Sequence, residues 1–182
     1  EEVKEWQVAA AAMHVAYDEE LRVHQQCDGF TRLQEWDFEG TPKERYPLLL
    51  HFPYFDIYRK KVIKQPDMVM AMLWRGDMFS AEEKARNFAY YEQYTVRDSS
   101  LSACMQAVLA AEVGHLNLAH DYLAEAALID LHDLAHNTSD GLHVAALAGS
   151  WISLVCGYGG LRDHSGQLTF APRLPEHLER ME

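Results

Sequence analysis

Apolar residues recur at three- and four-residue spacing through most of this chain, and that periodicity restricts it to a mainly α-helical fold. One helix is predicted to begin at Gln65-Pro66, since proline suits the first helical position. Ser80 followed by Glu83 forms a capping box that predicts the start of the next one. The sequence therefore indicates six or seven helices in succession, and no fixed repeat points to a solenoid.

The two ends of the chain carry further elements. Helices are predicted over residues 3–16, 18–30 and 141–156, with another over residues 117–131. Small residues in the last helix, such as Gly149 and Ser153, would allow a close approach of a neighbouring helix. After it, residues 161–164 and 167–170 flank Ser165-Gly166 and predict a β-hairpin.

Composition excludes several classes of partner. The chain has 182 residues, a net charge of −12 and no cluster of Lys and Arg, which argues against a nucleic-acid partner. No stretch has the roughly 20 apolar residues of a membrane helix. Three widely spaced cysteines favour buried thiols in a reducing compartment. We therefore expect a cytoplasmic protein. The chain starts in a helical pattern without methionine or leader, which predicts a piece of a larger protein.

The segment from Thr95 to His115 holds the strongest candidate for chemistry. Asp98 is predicted to cap a helix that Gly114 closes. The first N–H groups of that helix, near Ser99, Ser100 and Leu101, would have no partner inside it, and Arg97 stands just before them. This arrangement is typical of a phosphate or oxyanion site. The alternative is that Asp-Ser-Ser serves only as a helix cap.

Other candidate residues are weaker when each is taken alone. Lys64-Gln65 precedes a helix and could hydrogen-bond several hydroxyl groups, or it could be a solvated surface pair. His143 lies in the predicted first turn of the last helix, where the helix dipole favours a neighbouring anion and disfavours the protonated imidazole. His132 and His136 have helical metal-ligand spacing without a matching third ligand, so we expect no metal site.

Taken together, four motifs in order make the chain resemble glycoside hydrolase family 65, which contains the maltose, trehalose and kojibiose phosphorylases. The resemblance covers about residues 40 to 175. The motifs are Lys64-Gln-Pro-Asp-Met-Val-Met-Ala-Met, Phe79-Ser-Ala-Glu-Glu-Lys-Ala-Arg-Asn-Phe-Ala-Tyr-Tyr-Glu, Thr95-Val-Arg-Asp-Ser-Ser-Leu-Ser, and Asn137-Thr-Ser-Asp-Gly-Leu-His with Ala148-Gly-Ser-Trp.

The resemblance implies a fold and a reaction. Residues 1–160 would form the C-terminal half of an (α/α)6 barrel, and residues 161–182 a hairpin that enters a C-terminal β domain. The reaction would be inverting phosphorolysis of an α-glucoside, of trehalose or maltose type, giving β-glucose 1-phosphate. By motif position, Lys64 and Gln65 would hold the glucosyl unit, and Ser99, Ser100 and His143 would contact phosphate. Inorganic phosphate would be a co-substrate, and no cofactor is expected.

Departures from the family pattern qualify these expectations. The family's catalytic glutamate lies in a Gly-Pro-Asp-Glu-Tyr-His motif that this chain lacks, so the chain alone should be inactive and need the upstream half of the same protein as its partner. Arg97 replaces a frequent histidine and could strengthen phosphate binding, and Pro66 replaces a common alanine. A homodimer is left open. The alternatives are a family 65 hydrolase and a non-catalytic helical interaction module.

Overall fold

The structure is a computed structural model that describes residues 1–181, and helices lie over most of the segments with helical periodicity. The helices are α1 (Glu2–Ala11), α2 (Leu48–His51), α3 (Tyr54–Ile57), α4 (Asp67–Trp74), α5 (Ala81–Glu92), α6 (Ser102–Glu112), α7 (Leu116–Leu128) and α8 (Val144–Ile152), which continues as a π-helical segment, Ser153–Tyr158. The strands are β1 (Tyr17–Asp18), β2 (Val23–His24), β3 (Arg162–His164) and β4 (Gln167–Thr169). None of the helices in residues 1–181 is both long and apolar enough to cross a membrane.

Helix α6 forms the centre of the core. From Ala103 to Ala111 its side chains are nearly all buried, and five of those nine residues are alanine or cysteine. Short side chains let neighbouring helices approach the α6 backbone from several directions. The larger side chains of the core come from the surrounding elements, among them Met72, Phe88 and Tyr91.

Helices α4, α6 and α8 run parallel to one another, while α5 and α7 return in the opposite direction. At one end, the Ser102 hydroxyl that starts α6 donates to the Lys64 carbonyl that precedes α4, at 2.9 Å. At the other end, Lys84 near the start of α5 pairs with Glu112 at the end of α6, at 2.7 Å. Gly149 lies against Cys104, and farther along Gly157 lies against Val108, so α8 and its π-helical continuation follow α6 in the same direction.

The close approach of α8 to α6 depends on Gly149. A Cβ at this position would lie 2.5 Å from the Cys104 Sγ and 2.6 Å from its Cβ. Ser153, one turn later, is buried and its hydroxyl donates to the Gly149 carbonyl at 2.8 Å. The expected role of small residues is therefore confirmed at these two positions. The large residues of α8 lie on its outer side, where Val144 is 71% and Trp151 is 62% exposed.

Replacing Gly149 by alanine is expected to destabilise the protein. Alanine is favoured over glycine by about 1 kcal/mol inside a helix, but overlap with the Cys104 Cβ forces α6 and α8 apart at a cost of about 1–3 kcal/mol. Chemical denaturation of Gly149→Ala beside Ala148→Ser, an exposed position one residue earlier, measures the net effect. An unchanged or raised stability of Gly149→Ala would contradict the packing described here.

The predicted helix over residues 18–30 is wrong. Strands β1 and β2 pair there as a short antiparallel hairpin. The Asp18 carboxylate accepts hydrogen bonds from the N–H groups of Glu20 and Leu21 and from the Thr31 hydroxyl, which favours a turn over a helix and lowers the pKa of Asp18. The segment is then tied to α5 by a bond from the His24 N–H to the Asn87 side-chain oxygen, at 2.8 Å.

The predicted C-terminal hairpin is confirmed. Strands β3 and β4 are antiparallel, and Ser165 and Gly166 in the turn have φ angles of 56° and 76°. Arg162 of β3 attaches the hairpin to the helices by donating to Glu112, whose other oxygen accepts from Lys84. The division of the chain between residues 160 and 161 into two domains stays a prediction.

The prediction of buried thiols is only partly confirmed. Cys104 is buried and Cys156 is partly buried, but Cys27 is exposed. Burial raises the pKa of the Cys104 thiol, which keeps it protonated and unreactive. No disulfide joins the three residues, all of which lie in the described part of the chain.

Candidate active site

The residues predicted to bind substrate and phosphate lie at one end of the helical array. Lys64 and Gln65 precede α4, Ser99 and Ser100 precede α6, and His143 precedes α8. Because these three helices are parallel, their N-terminal ends meet at the same end of the fold. The structure thus brings together segments that are separated by up to about 80 residues in sequence.

The Lys64 segment and the Thr95 segment are joined through their backbones. The Ile63 N–H donates to the Tyr94 carbonyl at 2.8 Å, and the Val96 N–H donates to the Ile63 carbonyl at 2.9 Å. The Lys64 side chain is exposed, and Gln65 is partly buried. These bonds fix the start of α4 beside the start of α6 without using either candidate side chain.

Asp98 does not cap α6, contrary to the sequence-based prediction. Helix α6 begins at Ser102 without a side-chain cap, and the Asp98 carboxylate instead accepts from the Leu49 N–H at the start of α2, at 3.3 Å. Burial raises the pKa of Asp98, against the opposing effect of the N–H groups of Leu49 and Leu48. The prediction failed because the partner of this carboxylate lies 49 residues away in sequence. Gly114, with a φ of 94°, does follow the end of α6 as predicted.

The two serines keep hydroxyl protons available. Ser99 uses its hydroxyl oxygen to accept from the Leu101 N–H at 3.3 Å, and its carbonyl accepts from the Ser102 N–H at 3.1 Å. One of the N–H groups expected to be free, that of Leu101, is therefore used within the turn, as is the N–H of Ser102. Within residues 1–181 no group is hydrogen-bonded to the Ser100 hydroxyl. The site accordingly offers hydroxyl donors rather than a row of helix N–H groups.

Arg97 points its guanidinium to α7. Its Nη1 lies 3.3 Å from the Tyr122 hydroxyl, and its Nε lies 3.3 Å from a carboxylate oxygen of Glu125. The Tyr122 hydroxyl also donates to Glu92, which accepts from Gln106 at 2.8 Å through its other oxygen. Arg97 has a φ of 55°, so this network holds a residue in the left-handed conformation just before the turn of residues 99–102, which we call the serine turn. These contacts differ from a role in which Arg97 binds phosphate directly.

His143 occupies the N-cap position of α8, one residue before the helix begins, whereas the sequence placed it within the first turn. Its Nδ1 lies 2.6 Å from one carboxylate oxygen of Asp130, and its backbone N–H donates to the other at 2.8 Å. Both side chains are largely buried, with 17% of His143 and 8% of Asp130 exposed. The imidazole is thus held by a carboxylate that directly follows α7.

Comparison with known proteins identifies the family. Residues 1–152 match the family model of the glycosyl hydrolase family 65 central catalytic domain. The chain belongs to this family. It is 60% identical over 181 residues to an uncharacterized glycosyl hydrolase of Mycobacterium tuberculosis, which covers 100% of this chain and 23% of that protein. It is 43% identical over 179 residues to an alpha,alpha-trehalose phosphorylase of Geobacillus stearothermophilus, which covers 98% of this chain and 23% of that protein.

A solved structure supports the same assignment. A protein from the human microbiome, provisionally assigned as a kojibiose phosphorylase, superposes with a TM-score of 0.84 at 32% identity over 93% of this chain and 24% of that chain. The helical array is therefore part of an α/α toroid, as the resemblance implied. This family 65 chain spans about a quarter of the length of the relatives it matches.

Two functional candidates of this family 65 chain escaped the sequence-based interpretation. Asp130 lies outside the four motifs, and Glu92 is the last residue of the second motif, which gave it no role. Their partners His143 and Tyr122 lie 13 and 30 positions away in sequence. Apart from that motif position, the only signal in the sequence was an acidic residue at the end of a predicted helix. Such residues are usually solvated, so the pattern does not single them out.

The structure does not support a metal site in the part of the chain that it describes. Residues 1–181 contain no group of three or more His, Cys, Asp or Glu side chains that could hold an ion. His132 and His136 lie beyond the end of α7, and His136 has a φ of 54°, so they do not share a helix face. Their helical spacing in the sequence was therefore misleading.

The Tyr122 hydroxyl is expected to contribute measurably to stability. In Tyr122→Phe, the half-buried Glu92 and Arg97 side chains each lose a hydrogen-bond partner, which should lower the free energy of unfolding by about 1–3 kcal/mol. Tyr158→Phe is the matched control, because Tyr158 is equally buried and its hydroxyl has no partner within residues 1–181. Equal denaturation midpoints of the two variants would contradict the role of this network.

Proposed function

We propose that this chain supplies the phosphate-binding side of the active site of an inverting disaccharide phosphorylase. The observation that carries the proposal is the meeting of the starts of three parallel helices at one end of the fold, with Lys64, Gln65, Ser99, Ser100 and His143 in the segments that precede them. Residues of these types can bind sugar hydroxyls and an anion side by side. The family supports the reaction class, since the relatives at 32–43% identity are named disaccharide phosphorylases.

In the proposed reaction, phosphate attacks the anomeric carbon of an α-glucoside and gives β-glucose 1-phosphate and glucose. The Ser99 and Ser100 hydroxyls donate to phosphate oxygens, and His143 provides a further donor. Lys64 and Gln65 hold the glucosyl unit against the nucleophile, so that proximity lowers the barrier. No cofactor is required, because the co-substrate itself is the nucleophile.

The proton for the leaving sugar comes from outside this chain in our proposal. Inversion requires an acid on the face of the sugar opposite the nucleophile. The resemblance assigns this role to a glutamate in the upstream half of the barrel, and the motif that carries this glutamate does not occur in the present sequence. The exposed apolar residues Trp6, Trp151 and Val144 offer surface that the upstream half could cover.

Trehalose is the first substrate to test, because a trehalose phosphorylase is 43% identical to this chain, ahead of a maltose phosphorylase at 38%.

The second candidate function is hydrolysis, with water in place of phosphate. It is favoured by the names of relatives at 58–60% identity, which are called glycosyl hydrolases. The absence of a carboxylate at Ser99 and Ser100 favours phosphate, because a hydrolase needs a base to activate water. A cytoplasmic location stays a prediction.

The test is an assay of the full-length protein with trehalose, maltose and kojibiose, each with and without inorganic phosphate. Phosphate-dependent formation of glucose 1-phosphate is the expected result, and the substrate that gives it names the enzyme. Release of free glucose alone, at a rate independent of phosphate, would support the hydrolase. No turnover of any of the three would contradict both and favour the non-catalytic interaction module.

A further inference from the structure

Asp130 contacts His143 through both of its carboxylate oxygens. One oxygen lies 2.6 Å from Nδ1, and the other accepts from the backbone N–H at 2.8 Å. The bidentate contact fixes both the ring and the backbone of the residue that starts α8. With only 8% of its side chain exposed, Asp130 makes these bonds away from bulk water, where they are stronger.

The contact determines which imidazole nitrogen carries a proton. An ionised carboxylate can only accept hydrogen bonds, so the Nδ1–H group must donate to it. Nε2 is then the nitrogen available to contact a ligand. Within residues 1–181 no group is hydrogen-bonded to Nε2. Nε2 is therefore the ring nitrogen through which His143 can contact a phosphate oxygen.

Asp130 meets His143 as a charged carboxylate. The pKa of Asp130 is lowered, mainly by its bond from His143. Asp133 is the nearest like charge, and it is itself engaged by Thr138 and faces His136.

We infer that Asp130 is a positioning residue for phosphate, acting by holding His143 with Nδ1 bonded to the carboxylate and Nε2 available to the anion. The inference rests on the proposed phosphorolysis and adds a residue that the motif resemblance did not include. Asp130 does not touch the substrate in this scheme. Its entire effect passes through His143.

The test uses the full-length protein with Asp130→Asn, His143→Gln and the double variant. The amide has a single accepting oxygen for two donors and no charge, so we expect Asp130→Asn to weaken phosphate binding in calorimetry by about tenfold or more. The KM for phosphate should rise with it, while the KM for the disaccharide changes less than about twofold.

Three comparisons separate positioning from general loss of structure. Asp133→Asn removes a charge from the same turn and keeps a side chain that tolerates its φ of 46°, so we expect phosphate binding to stay within about twofold. In the His143→Gln background, Asp130→Asn should have no further effect on phosphate binding, because coupled residues are not additive. Asp130→Glu should restore part of the affinity.

Each outcome bears on the inference. Equal phosphate affinity of Asp130→Asn and Asp133→Asn, or a full additional loss in the His143→Gln background, would overturn it while leaving phosphorolysis intact. Phosphate binding that depends on Asp130 in an enzyme that releases only free glucose would uphold it and overturn the proposed function. Failure of the unmodified protein to bind inorganic phosphate would overturn both.

Discussion

Replacing Ser99 and Ser100 together by alanine is expected to raise the phosphate concentration for half-maximal activity by at least tenfold. Loss of a single preorganised donor to a reacting anion costs about 10²–10³ in kcat in well-studied sites, and this pair supplies two hydroxyl donors in one turn. The KM for the disaccharide should change little, since Lys64 and Gln65 are untouched. Initial rates of the full-length protein over a range of phosphate concentrations measure the effect.

The serine turn also offers its own control. Ser102 is the next hydroxyl along the chain, but it donates to the Lys64 carbonyl and is 1% exposed, so it cannot reach a ligand directly. Ser102→Ala should therefore lower stability by about 1 kcal/mol and leave the dependence on phosphate nearly unchanged. An unaltered phosphate dependence in the Ser99 and Ser100 double variant would count against the site assignment.

Replacing Glu112 by glutamine is expected to lower the free energy of unfolding by about 3–5 kcal/mol, because it leaves two buried cations without their carboxylate. The side chains of Glu112, Lys84 and Arg162 are only 16%, 12% and 11% exposed. This cluster joins the C-terminal hairpin to the start of α5 and the end of α6. Thermal and denaturant unfolding of the variant measure the loss.

The pH dependence of that effect follows from the carboxyl group. Burial would raise the pKa of Glu112, but the hydrogen bonds from Lys84 and Arg162 outweigh it and hold the pKa below its usual range. The stabilisation is therefore fully present above the unfolded-state pKa of about 4.3 and is lost as the pH falls through the lower folded-state value. The difference in the free energy of unfolding between the unmodified protein and Glu112→Gln should begin to shrink below about pH 4 and vanish only below the folded-state pKa of Glu112.

Glu19→Gln is the matched control for this charge change. Glu19 is exposed in the turn between β1 and β2, and its substitution should alter stability by less than about 0.5 kcal/mol. A similar loss in both variants would show that net charge, rather than the buried cluster, determines the effect. If the two proteins, unmodified and Glu112→Gln, differed in free energy of unfolding by the same amount from about pH 3 to about pH 7, the lowered pKa of Glu112 would be contradicted.

Local signals explain the parts of the fold that the sequence predicted well. The Ser80 and Glu83 capping box is present with both of its hydrogen bonds, because its partners are three residues apart. Pro66 precedes α4, and Ser165-Gly166 forms the hairpin turn, again through backbone preferences of the residues themselves. The motif order was equally informative for the family, since it requires only residue identity and sequence position.

Long-range partners explain the errors. The segment from residue 18 to residue 30 carries helical spacing, but Asp18 bonds Thr31, and His24 bonds Asn87 63 residues away. The sequence predicted Asp98 as the cap of the helix that follows it, but its carboxylate accepts a hydrogen bond from the Leu49 N–H of α2. The predicted place of Arg97 beside the anion stays a prediction, and its guanidinium contacts Tyr122 and Glu125 of α7.

The sequence by itself determined where most helices begin, which family the chain resembles and which side chains are candidates for phosphate and sugar. Those properties depend on neighbours within one or two helical turns or on residue order alone. Only the tertiary structure decided that the starts of α4, α6 and α8 meet, that Gly149 must remain free of a side chain, and that Asp130 orients His143. A hydrogen bond or a close packing contact depends on distance in space, and segments far apart in sequence become neighbours only when the chain folds.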